Sequence, residues 1–521
     1  MVGGAAFDNS LLELLNTNGT ITEGDEEDLR DAVDQLSAKI NELWHRRLLC
    51  LAALSPWRRM PAEILMEIFG HVARECQSDS WDSRGRHLVW QVTALRRVCK
   101  RWNEIALLTP RLGRHVYVPV PVTQEAYERT LEWFDRAKTD PKTIIIQEGD
   151  KWTPCPAGDG GQCALGSPLL AKLFTEGPLL EHVSIRCRSS RCLVALFQAI
   201  AELKGTCNPR PWDALKSLRV QVVSQWTEVG LFNKNALAPS LFASLPPVTS
   251  LDLDLPICHY DSLSHDIDHD EDRLLNIPGP LLAGLTSLTL RCNWRGRKIW
   301  RVLQGCQKNL ENLVLDFDTR DYDRPNWVGR MYIGSPLVFP KLRRLRFPRM
   351  HFASTSLIVL FKTPALEELY LELSDSGWKS ADAEGDIPGA IIDALLDFFR
   401  WSKLNDAPGL QRLELSTSTI PSKLLHRLFS RLPGLRHLNL IKIPFDTNAF
   451  CDLMLQKPYA LPELETFEIT SPFMYDPEPK DDYSGLTRYF EARPNLRKDD
   501  GTPLQAVKTK MQLKYIEGED W

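Results

Sequence analysis

One hydrophobic pattern returns along most of the chain: an apolar residue, two open positions, a second apolar residue, one open position and a third. It runs through Leu180/Val183/Ile185, Leu215/Leu218/Val220, Val248/Leu251/Leu253, Leu285/Leu288/Leu290 and Leu310/Leu313/Leu315. It continues through Leu342/Leu345/Phe347, Leu366/Leu369/Leu371, Leu410/Leu413/Leu415, Leu435/Leu438/Leu440 and Leu464/Phe467/Ile469. The last two apolar positions of each triplet alternate with a polar one, the period of a short strand with one buried face. Between triplets, apolar residues recur at helical spacing over Cys192–Leu203, Ile299–Leu303, Leu357–Phe361, Ile391–Phe399 and Leu424–Leu432. Successive triplets begin between 24 (Leu342 to Leu366) and 44 (Leu366 to Leu410) residues apart.

A strand and a helix repeated at this spacing bury their apolar faces only against neighbouring copies. The pattern therefore predicts an α/β solenoid, a leucine-rich-repeat horseshoe with a parallel sheet on its concave side. Strand-like runs at Val116–Val120 and Thr143–Ile146, with a helix over Gln124–Ala137 between them, start the array. Within each strand the leucines face inward and the open positions face solvent. These open positions are the candidate substrate-binding residues: Arg219, Asp252, Asp254, Arg291, Asp316, Arg346, Tyr370 and Glu372, with Trp327 from a neighbouring loop. Insertions after the strands, Val222–Asn235, Pro256–Asn276, Asp318–Ser335, Ser374–Asp386 and Ser471–Ser484, carry Trp226, Tyr260, Tyr322, Trp378, Phe473 and Tyr475. Aromatic residues on loops of a rigid scaffold are the types enriched at binding hot spots.

Ahead of the array the period changes. Leu29, Val33, Leu36, Ile40 and Leu43 follow one another at steps of four, three, four and three, then Leu48, Leu51 and Leu54. This is an amphipathic helix of two to three heptads, short for a coiled coil, so packing on its own chain is favoured over a dimer seam. Pro56 and Pro61 interrupt it, and Pro61 is placed to open a new helix. Ile64, Leu65, Ile68, Phe69 and Val72 fall on one face of that helix, and a second helical pattern spans Leu88–Ala106, closed by Thr109-Pro110. Three short helices in about 60 residues bury too little surface to stand alone, so part of their apolar face is expected to be an interface.

The segments MPAEILMEIF and LRRVCKRWNEIA resemble the F-box, specifically the fungal F-box-like form with a leading heptad helix and an SPWRRMP turn. Met60 stands where the family usually has Leu before Pro, a volume-conserving exchange. The resemblance implies docking on the Skp-type adaptor of a cullin–RING ubiquitin ligase. It carries over Met60, Pro61, Glu63, Ile64, Leu65, Ile68 and Phe69 as one adaptor-binding element, and Val98, Cys99 and Trp102 as the other.

Charge and chemistry narrow the picture. With 63 Lys+Arg against 68 Asp+Glu, a net charge of −5, the chain offers no general attraction for nucleic acid or an anionic membrane. No run approaches a membrane span, no secretory signal opens the sequence, and the 12 cysteines contain no CxxC pair, which together point to reduced thiols in the cytoplasm and/or nucleus. The loop Cys258, His259, His265, Asp266, Asp268, His269 offers metal-binding atoms without a closed zinc spacing, so no metal is expected. Asp316, Asp318, Asp321 and Asp323 lack the turn glycine of a calcium loop, and Gly158–Gly161 lacks the lysine of a phosphate loop. No nucleophile elbow is present, nor a Cys/His constellation whose partners a solenoid would obviously bring together, so no cofactor and no catalysis are expected.

The expected layout is an acidic flexible N-terminus (1–28), an amphipathic helix (29–54), an F-box-like unit (55–115), the solenoid (116–495) and a C-terminal tail (496–521). The expected role is the non-catalytic substrate-recognition subunit of a Skp–cullin–F-box ligase, whose repeats select an unknown protein. The alternative is a repeat scaffold for protein–protein interaction without ligase association.

Overall fold

The computed structural model describes residues 22–75, 92–137, 140–148, 163–203, 210–223, 245–255, 277–292, 296–316, 336–374, 387–404, 409–416, 420–441, 443, 445–456, 461–472, 484–495, 504 and 506–514. Helix α1 (Glu23–Leu54) begins six residues before the heptad pattern predicts. A 3-10 turn, Pro56–Arg58, leads into α2 (Ala62–Glu75). The single helix expected over Leu88–Ala106 is not continuous. Its described part divides into α3 (92–98) and α4 (Lys100–Leu108) at Cys99, which is extended (φ −164°, ψ 169°). Thr109-Pro110 ends α4, as the sequence predicts, and a new turn starts at the proline. Its fixed φ makes it the first residue of that turn, α5 (Pro110–Gly113).

The sheet then begins. Strands β1 (His115–Val120), β2 (Thr143–Glu148), β3 (His182–Cys187), β4 (Ser217–Val222), β5 (Ser250–Asp254), β6 (Ser287–Arg291) and β7 (Asn312–Asp316) follow in order. The two-residue strands β8 (Leu337–Val338) and β10 (Phe361–Lys362) pair with each other in a separate ribbon. The main sheet continues with β9 (Arg344–His351), β11 (Glu368–Ser374), β12 (Arg412–Ser416), β13 (His437–Ile441), β14 (Thr466–Pro472) and β15 (Lys508–Lys514). All 13 strands of the main sheet are adjacent in chain order and parallel, an arrangement consistent with an α/β solenoid. The tail thus contributes a strand to the sheet beyond residue 495.

The return helices are α6 (Gln124–Arg136), α7 (Pro168–Thr175), α8 (Ser190–Glu202), α9 (Gly279–Gly284), α10 (Gly296–Cys306), α11 (Ile387–Trp401), α12 (Ser422–Phe429), α13 (Thr447–Gln456) and α14 (Ser484–Ala492). Where a helix was expected at Leu357–Phe361, Phe352–Leu360 instead forms a 3-10 segment and Phe361 enters β10. The run Ser-Thr-Ser followed by β-branched Ile358 and Val359 is poor in α-formers.

The triplets explain the stacking. In-register pairing places Leu218, Leu251, Leu288, Leu313 and Leu345 side by side, all buried, and Val220, Leu253, Leu290 and Leu315 in a parallel row. The first apolar residue of each triplet, from Leu180 to Leu464, is buried as well. Just ahead of each main-sheet strand from β2 to β13 one backbone carbonyl accepts two successive N–H groups from the next unit: Lys142 from Glu181 and His182, Glu181 from Lys216 and Ser217, and so on to Arg436 from Glu465 and Thr466. Each unit is thereby tied to the next by backbone as well as by apolar contact.

Candidate adaptor-docking and target-facing surfaces

The helical unit has a core of its own. Leu65, Phe69, Ile105, Ala106 and Leu112 are buried together, with Met60, Met66, Ile68, Val92, Leu95 and Trp102 packed around them. Phe69 lies 5.1 Å from Trp102 and Trp57 lies 6.3 Å from it, ring centre to ring centre. Leu65 and Phe69 therefore hold α2 against α4 and are not surface residues; each is 0% exposed. The outer face is different. Ile64 (49%) and Val98 (59%) remain open, as do Pro61 and Glu63, while Met60, Ile68, Cys99 and Trp102 are half-buried. Exposed apolar side chains beside a small separate core mark a surface suited to a partner.

Sequence reasoning missed Arg101. Its guanidinium donates to the carbonyls of Arg58 and Met60, the latter at 2.6 Å, and so ties the turn before Pro61 to α4. The arginine sits in the motif itself, CKRWNEIA, but nothing in the spacing shows what it reaches.

A family model described as F-box-like matches residues 57–119, the stretch from the Trp57 turn through α5 into β1. Residues 57–119 are an F-box-like domain. Comparison with curated proteins found no match. The F-box-like domain overlaps the first strand of the sheet, so its C-terminal boundary and the start of the array share residues 115–119.

On the sheet, the open positions line up across strands: Arg219, Asp252, Thr289, Val314 and Arg346 in one row, Gln221, Asp254, Arg291 and Asp316 in the next. Their charges meet one another. Arg219 Nε lies 3.0 Å from Asp252 Oδ2, and Arg291 Nη1 donates to Asp252 Oδ1 at 2.7 Å. Arg291 Nε lies 3.9 Å from Asp316 Oδ2, and Arg349 grips both oxygens of Asp316 at 2.7 and 3.1 Å. The result is an alternating ladder from Arg219 to Arg349. Asp254 lies beside it, accepting from Gln221 Nε2 at 2.9 Å. Burial, the largest cause, together with the Asp252 and Asp316 carboxylates pushes its acid up to about 6 against the pull of Arg291 and Gln221.

Arg349 is a second residue that sequence reasoning missed. The pairing of β9 with β11 slips between Leu371 and Leu373, and Arg349 takes a left-handed backbone (φ 58°) in the bulge. A bulge re-aims a side chain, here toward Asp316. Pro348 was the available signal, since proline in a strand is confined to edges and bulges.

Farther along, Arg346 lies over the Tyr370 ring at 4.8 Å, and the Tyr370 hydroxyl donates to Glu372 Oε2 at 2.8 Å. Burial first, then Glu372, drives the Tyr370 phenol above its ordinary range. Arg346 itself is exposed. Of the nine target-facing candidates, eight are brought onto this face. Trp327 lies outside the described residues, as do Trp226, Tyr260, Tyr322, Trp378, Phe473, Tyr475, the Cys258–His269 loop and Gly158–Gly161.

One buried polar cluster was not anticipated. Glu148, Cys163 and Cys192 bring a carboxylate oxygen and two sulfurs within 4.8 Å of one another at the end of β2. The Arg188 backbone N–H donates to Glu148 Oε2 at 3.0 Å, and Ser189 Oγ lies 3.4 Å from Cys192 Sγ. The hydrogen bond to Cys163 and burial push the Cys192 thiol well above its ordinary range. Among the described residues no helix is long and apolar enough to cross a membrane.

Proposed function

We propose that this chain is a non-catalytic substrate-recognition subunit of a Skp–cullin–F-box ubiquitin ligase, acting inside the cell, with a leucine-rich-repeat solenoid as its target-selecting part. The observation that carries this reading is the F-box-like match at 57–119 falling on a helical unit whose outer face keeps Ile64 and Val98 in solvent. On this reading Met60, Pro61, Glu63, Ile64, Ile68, Val98, Cys99 and Trp102 meet the adaptor, and Leu65 and Phe69 serve by shaping that surface from beneath. The leucine triplets, the carbonyl spine and the parallel sheet support the repeat assignment.

The mixed-sign face suits a protein target. The ladder from Arg219 to Arg349 is largely self-neutralised, so it shapes the floor, and exposed Arg346 with Tyr370 and Glu372 is the part free to meet a partner. The mechanism is proximity: a captured protein is held at high effective concentration near a ubiquitin-charged enzyme carried by the rest of the ligase.

The test is capture of a purified Skp-type adaptor by the full chain. Ile64→Asp and Val98→Asp change exposed positions, so both should remove capture while the circular dichroism spectrum stays that of the parent. Adaptor capture that survives both substitutions, or no capture by the parent at micromolar concentration, refutes the reading.

A further inference from the structure

Helix α1 is the largest unexplained feature of the described structure. Its 32 residues precede the F-box-like domain, and Val33, Leu36, Ile40, Leu43, Trp44, Leu48 and Leu51 are each more than half exposed. Packing on the helix's own chain, favoured from its length, is therefore not seen among the described residues. A charged helix that leaves such a stripe in water needs a cover.

We propose that α1 pairs in parallel with α1 of a second copy of this chain. Residue type chooses this occupant. In the heptad frame set by Leu29, Val33, Leu36, Ile40 and Leu43, the first core position holds β-branched Val33 and Ile40, and the other holds leucine each time. That division is the one that favours parallel two-stranded coiled coils. After Ile40 the stripe steps by four to Trp44, by four to Leu48 and by three to Leu51, a one-residue shift of the frame equivalent to two successive four-residue insertions, each of which locally unwinds a coiled coil. Arg47 stacks on Trp44 at 4.9 Å, covering its ring beside the stripe.

Charge does not oppose the pairing. Glu27, Asp28, Asp31 and Asp34 fall on the outer positions of the frame, and Arg30 and Arg46 are held by Glu26 and Glu42 of the same helix at 2.6 and 2.7 Å. The area is sufficient as well. Each such side chain takes roughly 60–120 Å² out of water when buried, so seven from each helix remove about 800–1,700 Å². That range overlaps the ~1,200–2,000 Å² of stable protein interfaces. Parallel pairing sets two F-box-like domains at the same end of the coil and makes the assembly bivalent for its target.

The experiment is sedimentation of the full chain at micromolar concentration, with Leu36→Lys and Ile40→Lys beside the parent. The parent should have twice the mass of one chain, and either lysine should weaken pairing by at least ~100-fold. Both positions are exposed in the single chain, so a folding defect does not confuse the result, and unchanged adaptor capture by these variants separates this proposal from the preceding one. Orientation is read by Leu29→Cys and, separately, Leu43→Cys, each in a Cys50→Ser background with oxidised glutathione. Each thiol pair gives two electrons and two protons to the glutathione disulfide, and in a parallel, in-register pair both variants cross-link with themselves. A monomeric parent, a dimer that survives both lysines, or cross-linking at one position and not the other overturns the proposal.

Discussion

Asp254→Asn should stabilise the fold, and the gain should depend on pH in one direction. The Asp254 carboxyl titrates at about 6 in the folded chain and at the ordinary 3.8 when unfolded. Above pH 6 both states are ionised and the fold carries the full cost of a desolvated charge, about 3 kcal/mol at 1.36 kcal/mol per pH unit. Between about pH 4 and 6 the folded state holds a proton that the unfolded state has lost, so this contribution to stability falls as pH rises. Below pH 4 both are protonated and the cost vanishes. Asparagine removes the charge, and its amide adds a donor beside Gln221, whose buried Oε1 has no hydrogen-bond partner among the described residues. A new neutral bond contributes about 1 kcal/mol at any pH. Urea unfolding should therefore favour Asp254→Asn by about 3–4 kcal/mol at pH 7.5 and by about 2 kcal/mol at pH 4.5. His115, held neutral by burial with its pKa lowered to about 4, contributes the opposite slope in both proteins, so the difference between them isolates Asp254. A variant no more stable than the parent at pH 7.5, or one whose advantage is the same at both pH values, refutes the account of a costly buried charge.

Other outcomes follow from single contacts. Gly113→Ala places a Cβ 3.1 Å from the Ala137 backbone nitrogen and 3.2 Å from the Trp133 carbonyl, neither of which can swing away. It should lower stability by about 1–3 kcal/mol in urea unfolding, and an unchanged midpoint would mean that the two helices are not in such contact. At Arg349 the left-handed backbone orders the variants: both Ala and Gly lose the bidentate grip on Asp316, but Gly should be about 1 kcal/mol more stable than Ala, and the reverse order refutes the strain. Arg101→Ala releases the turn before Pro61 and should cost about 1 kcal/mol in stability and a larger factor in adaptor affinity, measured by calorimetry. Equal affinity with and without Arg101 would show that the turn holds its shape unaided.

How much of this was legible depends on whether a feature is periodic. The leucine triplets announce the strands because burial of one face imposes a strict alternation, and the last two residues of all ten lie on strands of the main sheet. The break at Cys99 and the helical turn starting at Pro110 escaped because they are set by local dihedrals in a run whose apolar spacing is otherwise helical. Strand β15 escaped for a different reason: Lys508-Thr-Lys-Met-Gln-Leu-Lys carries lysines as an edge strand does, so its apolar signal is thin. The charged residues on the open face of the sheet were found singly, as open positions. Their union into one ladder, with Arg349 at its end, required knowing which residue lies beside which, and register between strands about 30 residues apart is not written in any local window.

The short turn α5 has a practical meaning for anyone who would separate the two halves of the chain. Arg111 reaches back to Glu67 of α2 at 2.8 Å, Leu112 is sunk in the core of the F-box-like domain, and the Leu112 carbonyl accepts from Trp133 Nε1 of α6 at 3.3 Å. Two residues later the Arg114 carbonyl takes the Thr143 N–H, opening the pairing of β1 with β2. The F-box-like domain thus packs against the first elements of the sheet region, and a truncation that discards it uncovers α6 and takes most of β1 with it. A chain whose F-box-like surface is altered while its sheet is kept whole is better made by a single charge at exposed Ile64 than by removing the domain.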